Sequence, residues 1–312
     1  MMEKDIVILA GSGRSGTTWL GSILNSYPGT EYFYEIHAFD GLDFEQADLL
    51  KKKNPYTFFL RRRSVWALKA ERRLLGLQLK TGIASASARR ALRLQYTDTF
   101  KKSVPSVHLY KIVNLFEFAR RIEELNCRFG RRMKIVYIMR NPFSQVVSQM
   151  RIQKKMKERS KQHFKKLIAN VIDDPLLKNY LQTALKYKEG SWLEQMLCIW
   201  WVSNDLMIRT NYQNMYSVIY ENLAMQPMVE IRKIFKFLGW PVLKQTYDFI
   251  LKTSYLEKSE PGDYSIKKNA KYVIHRWKNE ININDYFCAK SLLSSCELMN
   301  YWNEDDLVLN EK

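Results

Sequence analysis

With 312 residues, 46% of them hydrophobic, and only 12 glycines and 8 prolines, the chain can bury a full core; neither a disordered nor a fibrous class fits, and it reads as one domain over 1–312. The apolar runs at 6–10 and 196–202 are too short for a signal peptide or for the roughly 20 residues that span a bilayer, and Cys127, Cys198, Cys288 and Cys296 lack C-x-x-C or zinc spacing. A cytoplasmic protein with reduced thiols, no membrane anchor and no metal site is expected. The formal charge of +18 sits in two blocks, 51–90 with net +11 and 151–190 with net +7, which are either solvated helical faces or steer a polyanion.

In chain order, the β-branched run over 5–10 predicts a buried strand that ends in a glycine-rich turn, and 18–24 has helical spacing, stopped by Tyr27-Pro28-Gly29. Residues 45–100 read as basic and helical with a break at Asn54-Pro55, an insertion suited to capping an acceptor site. A helix over 115–125, a strand over 134–139, a turn at Asn141-Pro142 and a helix over 143–156 follow. A strand over 216–220 precedes a helix opened by Gln226-Pro227, in which Met228, Ile231, Phe235 and Leu238 share one face before Gly239 ends it. Three strand-to-helix units predict an α/β protein with a mainly parallel sheet flanked by helices.

Strand, glycine-rich turn and helix form an anion site, because unpaired N–H groups at the helix start and the helix dipole favour negative charge. The string Gly11-Ser12-Gly13-Arg14-Ser15-Gly16-Thr17-Thr18 resembles the P-loop pattern G-x-x-x-x-G-K-[ST], but Thr17 holds the lysine position and the cation is Arg14, inside the loop. A nucleoside triphosphate enzyme needs that lysine and usually an acid at a neighbouring strand end, whereas the strand over 134–139 is followed by Arg140. A P-loop nucleotide kinase is therefore one disfavoured alternative. A non-catalytic polyanion-binding protein using the basic blocks is the other.

Extended to Trp19, the string resembles the 5′-phosphosulfate loop of the sulfotransferase superfamily that uses 3′-phosphoadenosine-5′-phosphosulfate (PAPS) as donor. The resemblance implies a three-layer α/β/α, P-loop-like fold with extra helices over the active site, and a metal-free reaction that yields 3′-phosphoadenosine 5′-phosphate (PAP). Arg14 would neutralise the sulfuryl and bridging oxygens, and Gly13, Ser15, Gly16, Thr17 and Thr18 would line the phosphosulfate. Arg140-Asn141-Pro142, with Ser148 eight residues after the arginine, resembles the family's 3′-phosphate motif. Tyr220-Glu221-Asn222-Leu223 resembles a Tyr-Glu-Asp-Leu strand end near the adenine, with Asn222 departing from the usual acid, so Tyr220 is an expected adenine contact. The segments around Lys267 and His275-Arg276-Trp277-Lys278 resemble a late basic region that closes over the nucleotide.

Sulfuryl transfer needs a base for the acceptor proton. Glu35 lies twenty-one residues after Arg14, where the carbohydrate and tyrosylprotein branches of the family place their glutamate base, and it ranks first. His108 in Ser106-Val107-His108-Leu109, similar to the histidine stretch of the cytosolic phenol and steroid branch, ranks second, and His37 third. Lys111 falls where relatives place a lysine near the sulfuryl oxygens or leaving group. The expected acceptor is a hydroxyl or amine of a small molecule, secondary metabolite or carbohydrate, as in natural product tailoring. No nucleic acid partner is expected, and the chain is compatible with a homodimer.

Overall fold

Ile6, Val7, Ile8 and Leu9 are apolar without alternation, the pattern of a strand covered on both faces. In the computed structural model, which describes residues 4–33, 62–63, 100–104, 106–153, 157–254 and 269–309, they lie in the middle of a sheet. Its strands are β1 (Asp5–Ala10), β2 (Thr30–Phe33), β3 (Arg62–Arg63), β4 (Val107–Ile112), β5 (Met133–Met139) and β6 (Met215–Ile219), in the order β3-β2-β4-β1-β5-β6. All pairings are parallel except β2 with β3.

The helices are α1 (Thr17–Leu24), α2 (Leu115–Ala119), α3 (Ile122–Phe129), α4 (Pro142–Gln153), α5 (Lys157–Asp173), α6 (Leu181–Lys186), α7 (Trp192–Arg209), α8 (Tyr220–Met225), α9 (Pro227–Leu238), α10 (Lys244–Ser254), α11 (Ala270–His275), α12 (Ile283–Leu293) and α13 (Glu304–Leu307). Alternate residues of β1 feed two cores. Ile6, Ile8 and Ala10 pack with Tyr137, Phe143 and Trp200, whereas Val7 and Leu9 pack with Leu20, Ile23 and Phe235. One core is thus closed by helices that include α4 and α7, the other by α1 and α9, which gives the three layers expected of an α/β chain with both sheet faces covered.

This order places the site. From β1 the chain passes through α1 to β2, two places away on one side, while from β4 it crosses to β5 on the other side of β1. The carboxyl ends of β1, β4 and β5 therefore border the crevice where open parallel sheets bind ligands.

Three sequence expectations are corrected. The helix over 115–125 is two helices, because Arg121 leaves helical geometry (φ −111°, ψ 4°) between Phe118 and Ile122, both of which are buried. The strand prediction for 216–220 stops at Ile219, since Tyr220 already begins α8. Within the block expected to be helical over 45–100, Arg62–Arg63 forms a strand that pairs with the edge of β2 left open by β4; apart from these two and the buried Phe100, the block lies outside the described residues. Gly239 ends α9 in the left-handed conformation (φ 78°), as expected. Among the described residues no helix is long and apolar enough to cross a membrane.

Candidate functional site

The turn between β1 and α1 is closed by its own polar groups. Ser15 donates to Ser12 O both from its N–H (3.1 Å) and from Oγ (2.7 Å), and Arg14 and Gly16 both have positive φ, 72° and 96°. At Gly16 the backbone requires glycine twice over. A Cβ there would be strained at this φ and would stand 2.4 Å from Cδ2 of Tyr220. Gly16→Ala is expected to lower stability by at least the ~1–2 kcal/mol of a left-handed non-glycine residue, with a further loss from the Tyr220 contact. Calorimetric unfolding of Gly239→Ala is the control, since Gly239 shares the positive φ but has nothing within 4 Å of its added Cβ. Equal effects in the two variants would remove Tyr220 from the account.

β5 runs directly into the second part of the site. Arg140 follows Met139, and Pro142 opens α4 in the first-turn position where a missing N–H is harmless. Asn141 Oδ1 accepts the Ser144 N–H at 3.1 Å and so caps α4. Arg140 is buried; its Nη1 donates to Arg14 O (2.9 Å), and its Nη2 donates to Ser144 Oγ (2.6 Å) and Val273 O (3.2 Å). These acceptors are all neutral, and Nε is buried with no hydrogen-bond partner. A buried guanidinium whose hydrogen-bond acceptors are all uncharged is matched to an anionic ligand.

Ser148 sits two turns into α4, and two cations converge on it. Arg14 Nε donates to its Oγ at 3.2 Å and Arg151 Nη2 at 3.0 Å. Arg151 also grips Glu280 through Nη1, at 2.7 and 3.0 Å, and Gln149 Nε2 donates to Gly13 O at 2.7 Å, tying α4 to the loop. The predicted Arg14, Arg140 and Ser148 are thus brought together. Ser144, Gln149 and Arg151 were missed by the sequence reasoning, although Ser144, Ser148 and Arg151, at spacings of four and three, mark one face of α4.

Lys111, on β4, and Tyr220, the first residue of α8, join this group. Lys111 is buried, and its Nζ donates to Thr18 Oγ1 at 2.9 Å. Tyr220, expected at the adenine, is buried instead between the loop and the clamp, with its ring against Gly16 and its centroid 4.5 Å from the Arg140 guanidinium carbon. Burial raises its phenol above the ordinary range, so it stays neutral. In this position it braces Arg140 by a cation–π contact.

His108 is not brought to the site. It pairs with Ile6, near the start of β1, three residues before Lys111, which pairs with Leu9; three strand residues span about 10 Å. It also shares a face with Tyr110, whereas Lys111 points the other way, to α1. There His108 Nε2 lies 3.3 Å from the buried Glu31 carboxylate and Nδ1 lies 3.2 Å from Tyr110 Oη, a cluster that belongs to the far edge of the sheet. Glu35, His37 and Lys267 lie outside the described residues. β2, which leads towards Glu35, runs parallel to β4 and hence towards the loop edge.

The sequence profile described as the sulfotransferase domain matches residues 4–282 of the chain. No curated protein matches it in sequence. Among solved structures, it is similar to the sulfotransferase domain from the curacin biosynthetic pathway (13% identity, covering 94% of this chain and 99% of that one, TM-score 0.47). It is also similar to a mouse sulfotransferase complexed with PAP (16%, 94% and 85%, TM-score 0.43). A third similar structure is the sulfotransferase from Alicyclobacillus acidocaldarius (15%, 94% and 97%, TM-score 0.40).

Proposed function

The chain belongs to the sulfotransferase domain family, and on that premise we propose that it transfers a sulfuryl group from PAPS to a hydroxyl or amine of a small-molecule, secondary-metabolite or carbohydrate acceptor. The observation that carries the donor reading is Arg140, a buried cation with an unpartnered Nε, next to the Arg14 and Ser148 pair. A dianionic 3′-phosphate suits that geometry, because a guanidinium can offer two parallel N–H groups to it. The loop N–H groups and the α1 N-terminus suit the phosphosulfate at the other end of the same ligand.

In the proposed reaction the acceptor atom bonds to sulfur as the bond from sulfur to the 5′-phosphate oxygen breaks. The acceptor proton passes to a base, and PAP leaves. Lys111, held at Thr18, and Arg14 in the loop balance the charge that builds on the sulfuryl and departing oxygens. We assign the base to Glu35, twenty-one residues after Arg14 in the sequence. A P-loop kinase is the weaker reading because Thr17 stands where the phosphate-gripping lysine belongs and Arg140 stands at the strand end where an acid would hold magnesium.

The test is calorimetric titration of the full chain with PAP in the presence of EDTA, followed by an acceptor screen with labelled PAPS and mass detection of the added sulfuryl group. Binding without metal and a sulfated product are expected. No PAP binding, with ATP binding that requires magnesium, would reverse the assignment in favour of the kinase.

A further inference from the structure

The Arg140–Asn141 turn is held from behind by residues distant in sequence. Glu221, second in α8, is buried; its Oε1 accepts the Asn141 backbone N–H at 3.1 Å and its Oε2 accepts the Trp302 Nε1–H at 2.9 Å. Trp302 is buried too, and from it the chain runs along the same turn. There Asp306 O accepts from Asn141 Nδ2 (3.2 Å), Asp305 O from Lys278 Nζ (2.7 Å) and Leu307 O from Tyr286 Oη (3.1 Å). On the other side Trp200 Nε1 donates to Arg140 O at 3.1 Å. The backbone on both sides of the Arg140–Asn141 peptide is therefore fixed, by Trp200 through the carbonyl and by Glu221 through the N–H.

Burying a carboxylate is costly, and burial holds the Glu221 carboxyl above the ordinary carboxylate range, although the nearby Arg140 charge and the N–H groups of Trp302, Asn141 and Glu221 itself pull it down. A carboxylate suits this place because both of its partners are donors. An amide side chain would meet one of them with an N–H of its own.

We propose that Glu221 and Trp302 are positioning residues for the donor's 3′-phosphate: the segment from Trp302 to Asp306 braces Glu221, Glu221 fixes the Asn141 N–H, and the direction of the Arg140 guanidinium follows. The inference rests on the PAPS reading. It differs from a general structural role in what it affects, since a loosened turn misaims Arg140, whereas the loop between β1 and α1, which loses one tie at Arg14 O, keeps the bonds from Ser15 to Ser12 O and from Gln149 to Gly13 O.

The experiment is calorimetry on the full-length chain with two nucleotides, PAP and adenosine 5′-phosphate, which lacks the 3′-phosphate. Wild type is expected to prefer PAP. In Glu221→Gln and in Trp302→Phe, which keeps an aromatic ring but loses the indole N–H together with part of the ring's volume, that preference should fall roughly tenfold or more, the scale of one lost hydrogen bond to a charged group. Affinity for adenosine 5′-phosphate should stay within about twofold of wild type, as expected of a site whose other contacts are untouched. Adding Glu221→Gln to Arg140→Ala should change nothing further. If the preference survives in a folded Trp302→Phe protein, or both nucleotides weaken together, the positioning role is overturned. A wild type that binds the two equally would instead overturn the donor reading on which the inference depends.

Discussion

Arg140→Ala is expected to weaken PAP binding roughly thirty- to several-thousandfold, corresponding to the ~2–5 kcal/mol seen when one partner of a buried charge pair is truncated. The size follows from its environment. Arg140 is buried at the end of β5, and its Nη groups meet only neutral oxygens, so a bound phosphate would be its direct counter-charge. Arg140→Lys should restore little of this, because an ammonium cannot reach Arg14 O, Ser144 Oγ and Val273 O while also lying flat over Tyr220. Calorimetric titration measures the affinity. Unfolding followed in parallel separates binding from folding, since the same N–H groups also tie α4 and the segment before Arg276 to the loop. A folded Arg140→Ala protein with wild-type affinity would move the 3′-phosphate elsewhere.

Most of this site is legible in the sequence for a physical reason: its parts are local. A strand that runs into Gly11 to Gly16, and another that runs into Arg140 and an amphipathic α4, each carry their geometry in consecutive residues. Arg140 and Ser148 lie eight residues apart in one strand-to-helix unit, so the resemblance to the family's 3′-phosphate motif could pair them before any fold was known. Tyr220 is expected at the adenine from its motif, and its packing against the loop could not be read, because it depends on Gly16 lacking a Cβ 204 residues earlier in the chain. Glu221 and Trp302, 81 residues apart, leave no local pattern at all. β2 was overlooked as a strand because Thr30–Phe33 is short and includes the charged Glu31, whose burial depends on Lys4 and His108 from two other segments.

The histidine was misplaced for a related reason, and the error bears on catalysis. A four-residue likeness around His108 says nothing about which end of a strand it occupies, and pairing with Ile6 places it at the edge away from the loop. The expected result is therefore that His108→Ala retains turnover with labelled PAPS and the acceptor found by screening, while its unfolding temperature falls as Glu31 loses a partner. Glu35→Ala should do the reverse. Nucleotide affinity should stay within about twofold, because the loop, Arg140 and Ser148 are untouched, and kcat should fall roughly 10²- to 10⁴-fold, the usual contribution of a positioned base. Glu35→Gln should fare no better, since an amide cannot take the acceptor proton, and raising the pH should not rescue either variant unless the acceptor ionises unaided. If Glu35→Ala turns over normally, the assigned base is wrong, and the next candidate is His37 on the same segment rather than His108. β2 makes that ordering testable, because it runs parallel to β4 and β1, and Phe33 at its end pairs with Tyr110, the neighbour of Lys111, which meets Thr18.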